Sequence, residues 1–268
     1  MRLGNDQIAA YERDGFLCPV PVLTPGEVAD CASRLAPAIP AILGDPEENK
    51  RMQYKAHLLY TWLDRLVRHP AILDAVESLL GPDLLVWNSG FLVKGPHDPS
   101  FVSWHQDATY WGLEPMEVAS AWLAFGDSTP ENGCVYCLPG SHRLAQIRHR
   151  DTHAKHNMLS RGQAVELDID ESNAVPLRLG AGEMSLHHVR TIHGPRPNRS
   201  DAYRIGFIIN YISPLVRQKS GSDSATLVRG RDRFGHFELD PRPSADRDEA
   251  AIAAHGAAVK RQMANILS

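Results

Sequence analysis

The hydrophobic pattern of residues 1–82 has helical spacing, and residues that begin or end helices interrupt it. Asn5 is a suitable N-cap for a first helix, which ends at Gly15. Residues 24–27, Thr-Pro-Gly-Glu, have the form of a capping box with proline at the first helical position, and the helix continues to Pro37. Another helix begins at Pro70 and ends before Gly81. The pattern therefore predicts a helical N-terminal layer.

The pattern changes after residue 82. Short segments rich in β-branched and aromatic residues, bounded by Gly, Pro, Asn or Asp, occupy 84–93, 118–125, 134–139, 174–179, 183–189 and 203–212. Most of the intervening stretches contain no helix long enough for a crossover between parallel strands. These residues therefore predict an antiparallel sandwich or barrel.

Two further regions complete the prediction of the fold. Residues 143–172 are strongly polar and have neither alternation nor an apolar stripe, which indicates an exposed loop or short helix. The chain closes with a helix over 246–267 that Gly256 weakens. We expect a single domain over 1–268, with a helical layer (1–82), a β core (83–212, with the insertion at about 143–172) and a C-terminal segment (213–268).

Composition excludes several classes of protein. The net charge of −4 argues against nucleic-acid binding, and no apolar run is long enough to span a membrane. The N-terminus lacks the apolar core of a signal peptide, so a cytoplasmic location is expected. Cys134 and Cys137 have the spacing of a zinc or redox pair, but no second cysteine pair exists. We therefore interpret them as strand thiols.

Histidine and aspartate stand two residues apart twice, as His105/Asp107 and as His149/Asp151. On a strand, residues i and i+2 share a face, so either pair could bind one metal ion. His105/Asp107 lies in the aromatic stretch SWHQDATYW, whereas His149/Asp151 lies in the polar RHRDTHAKH. We therefore assign metal binding to the first pair and expect His149→Ala to leave activity largely intact. At most, His149, His153 and His156 would bind a metal adventitiously from one helical face.

A third ligand is expected at His193, which follows a strand and precedes a Gly-Pro turn. Two histidines and one carboxylate leave coordination positions open, a set typical of non-haem iron(II) that activates oxygen. His187 and His188 are adjacent on a strand, so at most one of them can point inward. Arg204 begins the strand eleven residues after His193 (204 − 193 = 11). If the strands pair, its guanidinium returns beside the metal and could bind a carboxylate at two points.

The ordered motifs SWHQDATYW, ENGCVYCLPGSH, GEMSLHHVRTIHG and YRIGF resemble the phytanoyl-CoA dioxygenase (PhyH-like) family over roughly residues 5–212. Members are oxygenases that depend on iron(II), 2-oxoglutarate and O2. The resemblance implies a mainly β fold, with a double-stranded β-helix (jelly-roll, cupin-like) core and flanking helices.

The resemblance also implies roles for individual residues. The iron ligands are His105, Asp107 and His193, and the arginine for the distal carboxylate of 2-oxoglutarate is Arg204. The residues implied near the co-substrate are Lys55 and Asn88. The residues expected near the substrate are Tyr110, Trp111 and His57. Pro195 replaces a serine that assists the arginine in some relatives. Halogenating relatives lack the carboxylate that Asp107 supplies.

We therefore expect an iron(II)- and 2-oxoglutarate-dependent dioxygenase that oxidises a C–H bond of a small polar metabolite or natural-product intermediate, releasing succinate and CO2. Hydroxylation is the favoured outcome, and desaturation or epoxidation remains open. Neither a nucleic-acid nor a membrane partner is expected, and the sequence assigns no oligomeric state. Two alternatives remain open. One is a non-enzymatic jelly-roll binding protein, and the other is a zinc hydrolase with the same triad. Glu183 is the only acidic residue close to His193 in sequence that could be the base of such a hydrolase. Arg143 and Arg190 could meet an anion, but we interpret both as surface charges.

Overall fold

The computed structural model describes residues 2–159 and 161–266. Its α-helices are α1 (Asn5–Asp14), α2 (Pro25–Leu35), α3 (Ile39–Gly44), α4 (Pro46–Gln53), α5 (Thr61–Val67), α6 (Pro70–Leu80), α7 (Ala108–Trp111) and α8 (Glu249–Ile266). Its strands are β1 (Phe16–Pro21), β2 (Leu84–Lys94), β3 (Leu113–Glu114), β4 (Val118–Ala124), β5 (Val135–Cys137), β6 (His149–Asp151), β7 (Gln163–Val165), β8 (Val175–Pro176), β9 (Glu183–His188), β10 (His193–Pro195), β11 (Arg204–Ile212), β12 (Arg217–Gln218), β13 (Ser224–Arg229) and β14 (Glu238–Leu239).

The core consists of two facing sheets. The larger has the strand order β1-β9-β4-β11-β2-β13-β14, in which only the β13–β14 pair is parallel, and the smaller has the order β10-β5-β8. Trp122 on the large sheet and Val135 on the small sheet belong to one buried apolar cluster, so these sheets pack face to face. The predicted jelly-roll core with flanking helices is confirmed.

Strand β11 shows how the sequence divides the two faces of the large sheet. Alternate side chains point into the space between the sheets, namely Arg204, Ile208 and Asn210, with Gly206 between the first two. The residues between them pack against the helical layer, namely Ile205, Phe207, Ile209 and Tyr211. A period of two therefore places polar chemistry on one face and the helix-packing core on the other.

The predicted helix signals are confirmed at most positions. Thr24 caps α2 through Glu27 in a capping box, and α6 ends at Gly81. Two details differ from prediction: Gly4 rather than Asn5 caps α1, and α8 begins at Glu249 rather than at Asp246 before it continues through Gly256 to Ile266. The last residue of the predicted helix, Leu267, lies outside the described residues.

The large sheet extends beyond residues 83–212. Strand β1 pairs with β9, although it lies in the N-terminal region that the pattern predicts as helical. Its sequence, Phe-Leu-Cys-Pro-Val-Pro, carries two prolines, which only an edge strand tolerates well. Strand β13 pairs with β2 from the C-terminal segment.

The polar region 143–172 differs from the predicted loop or short helix. Within its described residues, β6 pairs with β7 as a short antiparallel hairpin. This hairpin carries His149 and Asp151, so the shared helical face of His149, His153 and His156 does not form. Among the helices that the structure describes, none is long and apolar enough to cross a membrane.

Candidate metal centre and co-substrate cavity

Three side chains from two neighbouring segments converge between the sheets. His105 Nε2 lies 3.2 Å from Asp107 Oδ1, and His193 Nε2 lies 4.0 Å from Asp107 Oδ2. One ligand atom from each residue lies within 4.8 Å of the others, so the group could hold a single metal ion. Within the described parts of the chain, no other set of three His, Cys, Asp or Glu residues does so.

The backbone fixes the positions of the two histidines. The backbone N–H of His105 donates to the carbonyl of His193 and vice versa, both at 3.1 Å. Asp107 is the N-cap residue of the single-turn helix α7. Ligands 88 residues apart (193 − 105) are thereby held as direct neighbours, a proximity that only the packing of the sheets provides.

Hydrogen bonds set the tautomer of both histidines. His105 Nδ1–H donates to the carbonyl of Ser103, and His193 Nδ1–H donates to the carbonyl of Thr191, each at 2.9 Å. The lone pairs of both Nε2 atoms therefore face Asp107 and are free for a metal. Neutral imidazole nitrogens and a carboxylate suit a divalent transition metal.

Asp107 and His193 are held in the protonation states that bind a metal. Burial by itself raises the pKa of Asp107, but the neighbouring imidazoles of His193 and His105 outweigh it and lower the pKa to about 2. Burial and the neighbouring His105 lower the pKa of His193 to about 4. At neutral pH the carboxylate is thus ionised and the imidazole of His193 is neutral, as metal coordination requires.

His149 contacts the metal-binding loop. Its Nε2 accepts the backbone N–H of Gln106 at 3.0 Å, and its Nδ1–H donates to the carbonyl of Ile147 at 2.9 Å. The side chain of Gln106 is buried, with Oε1 accepting from the backbone N–H of Ile147 (2.9 Å) and Nε2 donating to the carbonyl of Arg190 (2.9 Å). Asp151 instead forms an ion pair with Arg161 near the surface. His149 is therefore not among the metal ligands, as its polar setting predicted, but it supports the loop between His105 and Asp107.

A cavity of about 220 Å3 extends from the triad between the sheets. The large sheet contributes Asn88, Trp122, His187 and Arg204, among others, and the small sheet contributes Val135 and Pro195. Trp111 and the described residues Met158 and Leu159 of the polar insertion complete one side. Metal ligands and a strongly basic side chain therefore share one enclosed space.

Arg204 is the most unusual residue of this cavity. It is 1% exposed, and its Nε, Nη1 and Nη2 atoms are buried without a hydrogen-bond partner. Burial lowers its pKa to about 10, so the guanidinium remains charged at neutral pH. Its central carbon lies 5.3 Å from the centre of the Trp122 ring, which itself rests on Gly206. A buried cation with unused donors is costly unless an anion completes it, and a carboxylate is the matching partner.

The other residues expected near the co-substrate are placed differently. Asn88 lines the cavity, and its Oδ1 accepts the backbone N–H of Lys55 at 2.9 Å. The Lys55 side chain does not line the cavity: Nζ donates to the carbonyl of Ser224 at 2.7 Å and lies 3.3 Å from Asp240. The left-handed backbone of Lys55 (φ 48°) turns the side chain toward the C-terminal segment, so the assignment of Lys55 as a co-substrate ligand does not agree with this structure.

The residues expected near the substrate also separate. Trp111 lines the cavity and packs against Trp87, with ring centres 5.0 Å apart. Tyr110 packs edge-on against His149 at 5.3 Å and does not line the cavity. His57 is buried between Ser89 and Thr226, where both its ring nitrogens are hydrogen-bonded, so its placement does not support a substrate contact.

The lining residues that were not selected from the sequence include His187 and Trp122. His187 points inward, with its ring centre 5.0 Å from that of His193, whereas His188 packs against His142. Strand alternation predicted that at most one of this pair could face inward but not which one. The sequence did not identify Trp122 as a cavity residue, because an aromatic residue in an apolar strand is typical of any core. Glu183 accepts a hydrogen bond from the Gly180 N–H at 2.7 Å and is not among the residues that line the cavity.

A facial triad and a partnerless arginine within a jelly roll define a non-haem oxygenase that uses iron(II) and 2-oxoglutarate. The chain belongs to the phytanoyl-CoA dioxygenase (PhyH) family, whose model matches residues 11–206. The resemblance, the enzyme class and its cofactors, iron(II) and 2-oxoglutarate, are thereby confirmed. The donor set of the triad and the unpaired guanidinium fit these two groups.

Individual relatives agree with this class. The chain is 30% identical over 195 residues to a probable alpha-ketoglutarate-dependent hypophosphite dioxygenase of Stutzerimonas stutzeri, covering 70% of this chain and 68% of the relative. It is 28% identical over 233 residues to the ectoine dioxygenase of Bordetella parapertussis (79% and 76%). Among solved structures, the apo form of the non-heme monooxygenase ThoJ is 39% identical, with 98% of both chains covered and a TM-score of 0.86. CytC3 with Fe(II) and alpha-ketoglutarate is 25% identical, with 92% and 96% covered and a TM-score of 0.67.

Proposed function

We propose that this dioxygenase hydroxylates a C–H bond of a small molecule or natural-product intermediate. His105, Asp107 and His193 hold the iron(II), and Arg204 binds the distal carboxylate of 2-oxoglutarate. The observation that carries the proposal is the buried guanidinium of Arg204, which has no hydrogen-bond partner among the described residues and lines the same cavity as the triad. A structural arginine would have its donors satisfied by the fold.

When bound, iron(II) with 2-oxoglutarate and O2 supplies an oxidant for unactivated C–H bonds and yields succinate and CO2. The chain's own residues orient the reactants and exclude water. Ser103 and Thr191 hold both histidines with Nε2 toward the metal, and Arg204 fixes the far end of the dicarboxylate. The apolar cluster around Trp122 and Val135 closes the space between the sheets.

The test is the release of succinate from 2-oxoglutarate with iron(II) and O2. Slow release without the primary substrate would be sufficient, so the test does not require an exact substrate. Asp107→Asn should abolish this release and Arg204→Met should raise the 2-oxoglutarate concentration it requires. A protein that binds 2-oxoglutarate but releases no succinate under any condition would be a binding protein instead. A zinc-loaded protein that hydrolyses model esters would support the hydrolase, although Glu183 does not line the cavity.

The carboxylate of Asp107 bears on the outcome of the reaction. Because it would occupy one metal position, no position of the triad is left for chloride, and we propose hydroxylation, or another oxidation such as desaturation or epoxidation, rather than chlorination. Turnover in the presence of chloride should give no chlorinated product. A chlorinated product would contradict this proposal.

We further propose a cytoplasmic location and a small-molecule partner rather than a nucleic acid. Cys18, Cys31, Cys134 and Cys137 are all free thiols, which suits a reducing compartment. Fractionation of the producing cells, followed by immunodetection of the untagged protein, tests the location. Recovery in an extracellular or periplasmic fraction would contradict it.

A further inference from the structure

Lys94, the last residue of strand β2, is a buried lysine whose amine binds two backbone carbonyls. The residue is 0% exposed, and its Nζ donates to the carbonyl of Ser100 and to the carbonyl of Arg196, each at 2.6 Å. A buried amine is costly unless its N–H groups find acceptors, and these two carbonyls supply them. One side chain of the large sheet is therefore tied to two other segments of the chain.

The two carbonyls belong to the ligand-bearing segments, residues 100–107 and 193–196. The first segment contains two of the three residues that we propose as metal ligands, and the second contains the third. Ser100 is the first residue of one segment, and Arg196 is the last residue of the other. Because the two segments run antiparallel, the Lys94 amine contacts both of them at the same end.

The first ligand-bearing segment is not a strand of either sheet. It joins β10 through the isolated bridge between His105 and His193 and through a hydrogen bond from the Val102 N–H to the carbonyl of Pro195 at 3.0 Å. An isolated bridge provides fewer hydrogen bonds than a continuous ladder, so contacts at the segment ends contribute more to how the two segments lie. The Lys94 amine is such a contact.

Lys94 also connects these segments to the strand pair that carries the co-substrate arginine. It is the register partner of Arg204, which begins β11. Burial and the nearby Arg204 lower the pKa of Lys94 to about 7. The charged and the neutral amine both carry the two N–H groups that the carbonyls accept, so the tie does not depend on the protonation state of Lys94.

We infer that Lys94 is a positioning residue for the metal centre, because its amine holds the two ligand-bearing segments at the spacing at which their ligands meet one ion. Residues that orient ligands without touching the metal commonly change metal affinity by roughly 10- to 100-fold. Lys94 does not line the cavity, so its effect would not come from contact with the reactants. The inference rests on the proposed function, since it takes His105, Asp107 and His193 as the ligands.

The test is the dissociation constant for Co(II), measured by calorimetry at a temperature well below the unfolding midpoint of each variant. Lys94→Met fills a similar length but donates no hydrogen bond, and we expect it to raise the dissociation constant about tenfold. If Lys94→Met does not fold, Lys94→Gln takes its place, because its shorter side chain keeps a polar end that does not reach both carbonyls. The same direction of change is expected, by about fivefold or more.

Asn198→Leu is the matched control. Asn198 is also buried (1% exposed), and its Nδ2 donates to the carbonyls of Gly95 and Ala202 at 2.6 and 2.7 Å, outside the ligand-bearing segments. This variant should lose stability as well, but its dissociation constant for Co(II) should change by less than about twofold. A Lys94 variant whose Co(II) affinity stays within about twofold of that of the unmodified protein would overturn the inference, and so would an equal loss in Asn198→Leu.

Asp107→Ala, titrated with Co(II) in the same way, separates this inference from the proposed function. Undiminished Co(II) affinity of Asp107→Ala would refute the proposed ligand set. A loss in Asp107→Ala without a loss in the Lys94 variant would refute only the positioning role of Lys94.

Discussion

Replacing Arg204 by methionine tests the proposed co-substrate site and has an unusual expected result for stability. Methionine fills a similar length without a charge, and it removes a cation that is 1% exposed and has no partner. In the metal-free, ligand-free protein, we therefore expect the substitution not to destabilise the fold and to raise its thermal midpoint. At the same time, binding of 2-oxoglutarate should be nearly lost.

The magnitude follows from the cost of burial. Burial lowers the pKa of Arg204 from 12.5 to about 10, which corresponds to about 3 kcal/mol of unfavourable free energy for the charged form. Because both pKa values lie above 7, the guanidinium is charged in the folded and the unfolded protein, and the whole cost is present at neutral pH. Imperfect packing of methionine offsets part of this gain in the free energy of unfolding, so the thermal midpoint should rise by a few degrees.

The loss of affinity follows from the removed ion pair. Truncating one partner of a buried, hydrogen-bonded charge pair costs roughly 2–5 kcal/mol, which raises the dissociation constant for 2-oxoglutarate by about 30- to 4,000-fold. Arg204→Lys keeps the charge but not the planar guanidinium, so its affinity for 2-oxoglutarate should lie between those of the unmodified protein and Arg204→Met. Arg217→Met is a control, since Arg217 is exposed and lies 3.9 Å from its nearest acidic group, Glu114.

The assay combines calorimetry of 2-oxoglutarate binding to the Co(II)-loaded protein with thermal unfolding of the apoprotein. Addition of 2-oxoglutarate should raise the unfolding temperature of the metal-loaded wild type but not that of Arg204→Met. Destabilisation of the apo variant by more than about 2 kcal/mol would show a structural role for Arg204. A change of less than about fivefold in the affinity for 2-oxoglutarate would contradict its role in co-substrate binding.

Other predictions follow from the same contacts. Asp107→Ala should abolish iron-dependent succinate release. His149→Phe should weaken Co(II) binding roughly tenfold, as expected for a residue that supports a ligand loop. His149→Gln keeps an acceptor for the Gln106 N–H and should restore most of the Co(II) affinity, whereas equal affinity of the unmodified protein and both variants would refute the supporting role. Gly206→Ala should destabilise the protein by roughly 1–3 kcal/mol in chemical denaturation, because its Cβ would lie 1.9 Å from Trp122 Cζ2; an unchanged midpoint would show that the indole moves freely. Burial lowers the pKa of His188 to about 4, so the folded state binds fewer protons than the unfolded state. The apoprotein should therefore lose stability as the pH falls from about 6.5 to 4. His188→Gln should make this loss shallower, and an identical pH profile would contradict a contribution of His188.

The sequence by itself determined the longest strands, the longest helices and the identity of the ligand set. The aromatic setting of His105 and Asp107 selected this pair over His149 and Asp151, and the β-branched run that Arg204 begins predicted strand β11. Capping residues such as Thr24 fixed helix ends because those hydrogen bonds are local. Such features depend on neighbours within a few residues, so the chain alone specifies them.

The tertiary structure decided everything that depends on distant segments. Strand β1 is an edge strand because β9 pairs with it, and its prolines hide this from local propensity. Lys55 faces Asp240 rather than the cavity because one left-handed residue redirects its side chain. His149 supports the metal loop because the hairpin β6–β7 folds back over residues about 43 positions earlier (149 − 106 = 43). Local sequence patterns do not specify these contacts, since they form only when the two sheets pack and bring remote polar groups into one low-dielectric space.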